Sequence, residues 1–388
     1  MQKIFFVIND LAIGGVQSSL RNLLAEIHNR YDITLLCFDN RALSDAQLPA
    51  DIKVISVCSP FRYFGCSQAE TRNQPIRYIA RAFWAILTRI FGRSFVIKLM
   101  LPFQRRIGRY DCAISFLHES PQKNFYGGCN EFVLKRVDAQ KKVAWLHCDF
   151  EQCGANTSNS RHIYQQFDQI VACSEGTKQT FIRCMPQFAD KCVSIRNCNE
   201  YGKIRQLAGK GVAYDTSVFN IVTVARLDKE KGIERAIHAV HECVNRGYQV
   251  HYHIIGGGAL EETLKGMVLE LGLSKTVTFY GSQSNPYVYM IHADLFILPS
   301  YHEAAPMVFD EAACLGVPVL ATRTTSTDEM IARSHSGFVC ENSDEGIKLG
   351  LLELMEHPEK LIEIKKALEI REFSNAAIVE AFDQIISG

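Results

Sequence analysis

Short apolar runs alternate with amphipathic stretches along most of the chain, and that alternation predicts helices crossing between parallel strands. In the first half, Lys3–Ile8 and residues 31–38, 52–57, 111–116, 142–146, 170–174 and 192–196 read as strands. The first is followed by a turn at 9–17 and a helix at about 18–28. After the polar stretch 197–203, read as a linker, the order starts again with a strand at 219–225 and a helix at about 233–246. Strands at Val250–Ile255, 277–280, Leu295–Leu298, 319–321 and 337–339 follow, with a helix at about 260–271. The tail 374–387 reads as a capped amphipathic helix.

One segment breaks the alternation. Residues 61–110 carry ten Arg or Lys against one acid, Glu70, interleaved with aromatic residues. From Ile76 to Phe91 the period is helical, with Arg77, Arg81 and Arg89 near one side and Ile79, Phe83, Ile86, Leu87 and Ile90 on the others. Such a helix suits a membrane interface, where cations meet anionic headgroups and Trp84 and its aromatic neighbours enter the acyl boundary. The plainer alternative is a surface helix packing its apolar face on its own sheet. Nucleic acid fits poorly as a partner, because the second half of the chain is acidic.

Composition sharpens this division. Residues 1–200 hold 25 basic and 17 acidic side chains and residues 201–388 the reverse, so a net charge of zero conceals two halves suited to different partners. At 388 residues two domains are expected. No apolar run is long enough to span a bilayer, and the start lacks a signal-peptide layout, so a cytoplasmic protein is expected. The fourteen cysteines are scattered without paired zinc-ligand spacing and read as reduced thiols.

Candidate chemistry concentrates in residues 299–319, PSYHEAAPMVFDEAACLGVPV. Pro306 suits a first helical position, and Gly316 with Pro318 supplies a stop, which predicts a helix of about three turns. Its start offers free N–H groups to a phosphate, flanked by Glu303 and Glu311, which can accept from sugar hydroxyls. An ordinary capped helix would share these features. Upstream, Arg226 and Lys231 put two cations at the end of a strand, as a diphosphate requires. Gly256 opens a glycine triplet between strand and helix, Gly281 ends the next strand, and Gly15 lies in the first turn, where no Cβ blocks close approach. His147 follows a strand directly, where parallel sheets hold their ligands.

Taken in order, Gly14-Gly15, WLH at 145–147, ARLDKEKG at 225–232, IIGGGALEETL at 254–264, the 299–319 stretch and the closing helix resemble the retaining glycosyltransferases of the GT-B fold, family GT4. The likeness covers nearly the whole chain and is strongest over 222–322. It implies an α/β fold of two Rossmann-like domains whose parallel sheets face a central cleft. The expected divisions are 1–199 for the acceptor, including the basic aromatic segment 61–110, 200–372 for a nucleotide sugar, and 373–388 as a helix crossing back. By that resemblance Arg226 and Lys231 neutralise the diphosphate, and Glu311 accepts from the ribose. Glu303 holds the transferred hexose. The N–H groups of Met307 and Val308 meet phosphate or sugar, Gly15 approaches from the opposite domain, and His147 lies beside hexose and acceptor. Same-face attack with retention is implied, and no metal or other cofactor is expected. Three departures stand out: Ala304 where glycine is common, Asn197-Cys198 where Asn-Pro is frequent, and 324–327 in place of donor-side glycines.

The expected activity is transfer from a nucleotide-diphosphate sugar, UDP before GDP, to a lipid-linked saccharide in capsule, exopolysaccharide or O-antigen assembly, at the inner face of the cell membrane. Alternatives are a protein or soluble acceptor, a non-catalytic nucleotide-sugar-binding scaffold, or a related epimerase or phosphorylase.

Overall fold

Among the described residues, thirteen strands form two wholly parallel sheets. The first contains β1 (Lys3–Ile8), β2 (Asp32–Cys37), β3 (Lys53–Ser56), β4 (Ile107–Ser115), β5 (Val137–Leu146), β6 (Gln169–Ala172) and β7 (Cys192–Ser194), in the order β3-β2-β1-β4-β5-β6-β7. The second contains β8 (Phe219–Val224), β9 (Val250–Ile255), β10 (Val277–Phe279), β11 (Leu295–Leu298), β12 (Val319–Thr322) and β13 (Gly337–Cys340), in the order β10-β9-β8-β11-β12-β13. These elements come from a computed structural model that describes residues 1–12, 14–39, 47–58, 60–66, 68 and 71–388. Glu70, the one acid counted in its segment, lies outside the described residues.

The chain divides into two units, Met1–Cys198 with Asn375–Gly388, and Asn199–Ser374. Within the first, β1 shows why the strands read as continuous apolar runs. Phe5 and Val7 join a core with Phe61, Phe64 and Phe132, while Ile4, Phe6 and Ile8 join another with Leu20, Leu24 and Phe382. Both faces of the sheet are covered, so every position must be apolar. Phe382 belongs to the closing helix, Ala376–Ser387, and stacks on Phe6 at a centroid distance of 6.3 Å. Lys141 Nζ donates to Ile385 O at 2.6 Å and Tyr31 Oη to Asp383 Oδ1 at 2.6 Å, fixing that helix to the first unit.

In both sheets the strand order reverses direction once, between β1 and β4 and between β8 and β11. At such a point the connections leave on opposite faces and open a crevice beyond the strands' carboxyl ends. The loops after β8 and β11 are those carrying Arg226, Lys231 and Glu303.

Several boundaries differ from the sequence expectation. β4 and β5 begin four and five residues before the expected 111 and 142. Their early residues include exposed positions, which a search for apolar runs passes over, and the pairing register shifts between Ile107 and Tyr110. The first helix, Gly15–Ile27, starts three residues before the expected Ser18. The helix at the candidate site is Met307–Cys314, eight residues and little more than two turns. Pro306 precedes it with an extended backbone, φ −69° and ψ 112°, and so is its cap, not its first residue. The closing helix has no side-chain cap; Asn375 instead donates to Glu26 Oε1 at 2.7 Å. The expected linker 197–203 already contains the start of the helix Tyr201–Ala208. All fourteen cysteines are free thiols.

The basic aromatic segment splits into two environments. Phe61, Tyr63, Phe64, Val96, Ile97 and Met100 belong to the core of the first unit. Arg93 is also wholly buried, paired with buried Glu119 and donating to Tyr126 O at 3.1 Å, so it is not one of the surface cations. The helix Pro75–Phe91 between these parts is turned the other way. Ile76, Ile79, Phe83, Ile86 and Ile90, spaced three and four apart along one face, are 54–83% exposed.

Candidate functional site

In the second unit, β8 ends in a turn that reaches Lys231 and passes through Gly232 into the helix Ile233–Asn245. Gly232 has φ +60°, and a Cβ there would meet Pro299 O at 2.3 Å, so the two strand-end loops touch where only glycine fits. Across that contact Lys231 Nζ lies 2.5 Å from Glu303 Oε1, and both side chains are largely buried. Ser300 Oγ donates to the same oxygen at 2.9 Å. Arg226 extends into solvent, 70% exposed, with Nη1 3.0 Å from Asp228 Oδ2. The expected cation pair is thus unequal: Lys231 is built into the loop contact and Arg226 is an exposed outer arm.

The N–H groups of Met307 and Val308 begin the helix after Glu303. Inside its first turn Asp310 is buried and holds Arg333 through both carboxylate oxygens, at 3.0 and 3.1 Å. Glu311, one residue on, has its carboxyl pushed up to about 7 by burial and by Asp310, opposed by a hydrogen bond from Tyr287. It is therefore partly protonated near neutrality.

Gly256 has a firm packing reason. At φ +144°, a Cβ would sit 1.8 Å from Ala225 O, where β8 and β9 end side by side. Gly281, at the end of β10, accepts from the Gly256 N–H at 2.9 Å. Ala304 fits its loop, since the described non-glycine residues with positive φ are Gln47 and His335. Its carbonyl accepts from Ser326 Oγ, and Thr324 and Thr327 bond through their hydroxyls at 2.6 Å. Hydroxyl bonds therefore brace the loop at 324–327.

In the first unit, Gly15 opens the helix after β1, and a Cβ there would meet no atom within 4 Å. His147 follows β5, its ring packed at 4.6 Å from Phe116 and parallel to Trp145 at 6.3 Å. Burial, and then His118, hold its pKa well below the ordinary range, so the imidazole is neutral at pH 7. Its Nε2 is buried without a partner among the described residues. Of the basic helix residues, Arg89 is exposed, and Arg77 is half-buried. Arg81 turns inward, donating to Cys66 O and Gln68 Oε1 at 2.7 Å each, and Trp84 packs against the core. The outward face belongs instead to the isoleucines and Phe83.

Sequence reading missed His118, which lies in the loop beyond the end of β4 at Ser115, whereas His147 directly follows β5; a strand-end search widened to the loop would have found it. Burial and then Arg93 lower its pKa to about 4. It also missed Arg235, which looked like one more polar position of an amphipathic helix. Among the described residues no three His, Cys, Asp or Glu side chains gather as a metal ion would need.

Residues 212–370 match the family model described as Glycosyl transferases group 1. Over 99% of its length the chain is 22% identical to the Campylobacter jejuni N-acetylgalactosamine-N,N'-diacetylbacillosaminyl-diphospho-undecaprenol 4-alpha-N-acetylgalactosaminyltransferase, covering 97% of that protein. It is 32% identical to the amylovoran biosynthesis glycosyltransferase AmsK of Erwinia amylovora over 132 residues, about a third of each chain. The crystal structure of Anabaena HepE in complex with UDP-glucose superposes over the whole of both chains with a TM-score of 0.69 at 19% identity.

Proposed function

We propose, from the match of residues 212–370 to the glycosyl transferases group 1 and the GT-B likeness of the fold, that this chain is a glycosyltransferase that moves a sugar from a nucleotide-diphosphate donor, UDP-linked before GDP-linked, to a lipid-linked saccharide. The product serves assembly of a surface polysaccharide such as capsule, exopolysaccharide or O-antigen. The observation that carries this reading is the Lys231–Glu303 contact at the β8/β11 reversal, beside the helix start at Met307. It sets a cation, a carboxylate and free N–H groups around one crevice.

The chemistry follows from charge. Breaking the anomeric bond leaves positive character on the sugar and negative charge on the departing diphosphate. Lys231, Arg226 and the N–H groups of Met307 and Val308 act on the diphosphate where that charge develops, which favours the transition state over the ground state. Glu303 accepts from hexose hydroxyls and Glu311 from the ribose. With these cations in place the reaction proceeds without a metal. In the first unit neutral His147, its Nε2 unpartnered among the described residues, serves the acceptor, and a Cβ at Gly15 would meet no atom within 4 Å. The acceptor attacks from the face the diphosphate leaves, giving retention, and the departing phosphate oxygen takes its proton.

The acceptor class draws on the Campylobacter relative, whose name specifies a diphospho-undecaprenol acceptor, and on the outward apolar row of Pro75–Phe91. Arg77, Arg89, Lys98, Arg105, Arg106 and Arg109 lie in or near this region, and none forms an ion pair among the described residues. Apolar side chains next to uncompensated cations suit the anionic inner face of a membrane. No helix of the described residues is long and apolar enough to cross one.

The test is a panel of UDP-, GDP- and ADP-sugars with the purified chain, scored for transfer to a polyprenyl-diphosphate-linked saccharide. The expected result is product with one UDP-sugar, with the anomeric configuration retained and turnover undiminished by a chelator. Indifference to every nucleotide sugar would refute the reading.

A further inference from the structure

The segment that carries Glu303 is held from behind by one side chain with no assigned role. Arg235 is 6% exposed, in the first turn of the helix Ile233–Asn245. Its Nε donates to Asp344 Oδ1 at 2.9 Å, and its Nη1 to Asn342 Oδ1 at 2.7 Å and to Pro299 O at 3.4 Å. The guanidinium lies 3.4 Å over the Tyr301 ring. Asn342 Nδ2 in turn donates to Tyr301 O at 2.9 Å and to Arg323 O at 3.1 Å. Further bonds converge on the same three residues. Tyr301 N–H donates to Glu230 O at 2.8 Å, Tyr301 Oη to Glu234 Oε1 at 3.1 Å, and Thr322 Oγ1 to Ser300 O at 2.5 Å. Pro299, Ser300 and Tyr301 are thereby gripped on both sides, and Ser300 passes the constraint on through its hydroxyl to Glu303.

We propose that Arg235 is a positioning residue for transfer: it fixes Pro299–Ser300–Tyr301 so that Ser300 aims the Glu303 carboxylate, beside Lys231, at the sugar. The proposal rests on the donor reading above. A planar guanidinium is needed because one group must bond on two edges and stack on a ring at once; a lysine ammonium keeps the charge but not the fork or the plane. Misplacement of a reacting group by about 1 Å costs up to about a hundredfold in rate, even when the altered residue is remote from the chemistry. Since the polar contacts of Arg235 go to none of the groups placed on the diphosphate, its loss should spare nucleotide affinity.

The experiment compares the full chain with Arg235→Ala, Arg235→Lys and Ser300→Ala. It measures hydrogen–deuterium exchange across residues 299–306, binding of UDP by calorimetry, and kcat and KM with the sugar nucleotide that the panel identifies. For Arg235→Ala the expected result is faster exchange in 299–306, a kcat lower by about tenfold to a hundredfold, and UDP affinity and KM changed by less than about threefold. Arg235→Lys should recover part of kcat. Ser300→Ala, which cuts only the last link, should lower kcat without speeding exchange, and with Arg235→Lys it carries the test if the alanine variant does not fold. Unchanged exchange in Arg235→Ala, or faster exchange with unchanged kcat, overturns the proposal. A wild-type chain that transfers no sugar refutes the donor reading instead, and exchange then decides alone whether Arg235 holds the segment.

Discussion

The candidate site of the second unit and the basic helix of the first treat their cations in opposite ways. In the second, Lys231, Arg235 and Arg333 are each drawn against a carboxylate in a partly or wholly buried contact, and the loops they join are correspondingly defined. In the helix Pro75–Phe91 of the first, Arg89 stands free in solvent beside a row of exposed isoleucines. Paired cations preorganise a small site, whose ligand must match a geometry already present. Unpaired cations on an apolar surface suit a broad partner that supplies its own negative charge. One chain thus carries a geometric form of recognition and a diffuse one.

That contrast breaks most sharply on the helix surface. Replacing Ile79 and Phe83 together by Asp removes two side chains worth about 1.5–3 kcal/mol each when fully buried. Binding to anionic vesicles should fall by about two orders of magnitude or more, while UDP binding stays as it was; flotation and calorimetry measure the two. Vesicle binding that survives the double change would assign the exposed row to another partner.

A smaller effect is expected in the site. Lys231→Ala removes a charge-assisted contact of about 1.5–3 kcal/mol, which corresponds to a loss of about tenfold to 150-fold in transfer. Vesicle flotation should not change. Equal loss in Lys231→Ala and in a variant of exposed Arg89 would erase the distinction between built-in and free cations.

The smallest effect concerns pH. Glu311 in the second unit and Glu131 in the first both have carboxyls pushed up to about 7, chiefly by burial, each with an acidic neighbour: Asp310 for Glu311 and Glu119 for Glu131. A carboxyl whose folded pKa lies above its unfolded value contributes stability that is complete below about 4.5 and is lost as pH rises through about 7. Thermal midpoints should therefore decline by a few degrees between pH 5 and 8. Glu311→Gln should flatten that decline in the second unit and leave it in the first. A decline that Glu311→Gln does not alter would show the carboxyl to be ionised throughout.

Much of the fold was legible because a parallel sheet covered on both faces demands apolar strands, and β11 throughout and β1 from Ile4 onward show such runs. The strand-end loops were legible for a related reason: glycine at 256 and a cation at 231 are constraints that a single position expresses. What escaped notice depends on three-dimensional pairing. Arg235 meets residues more than sixty positions away, and nothing local separates it from a solvated arginine. In the helix Pro75–Phe91 the period was plain but the facing was not, because the sequence pattern does not say which side is turned inward. Arg93 looked like one more surface cation until Glu119 was found beside it.

The closing helix has a bearing on biosynthesis. Phe382, Ile385 and Ile386 complete a core whose other members, Phe6 and Trp145 among them, leave the ribosome long before them. During translation this core lacks its last members while the whole of the second unit is made. Contacts of such long sequence separation form slowly. The second unit, one continuous stretch of chain from Asn199 to Ser374, can settle first, and the core around Phe6 is completed last.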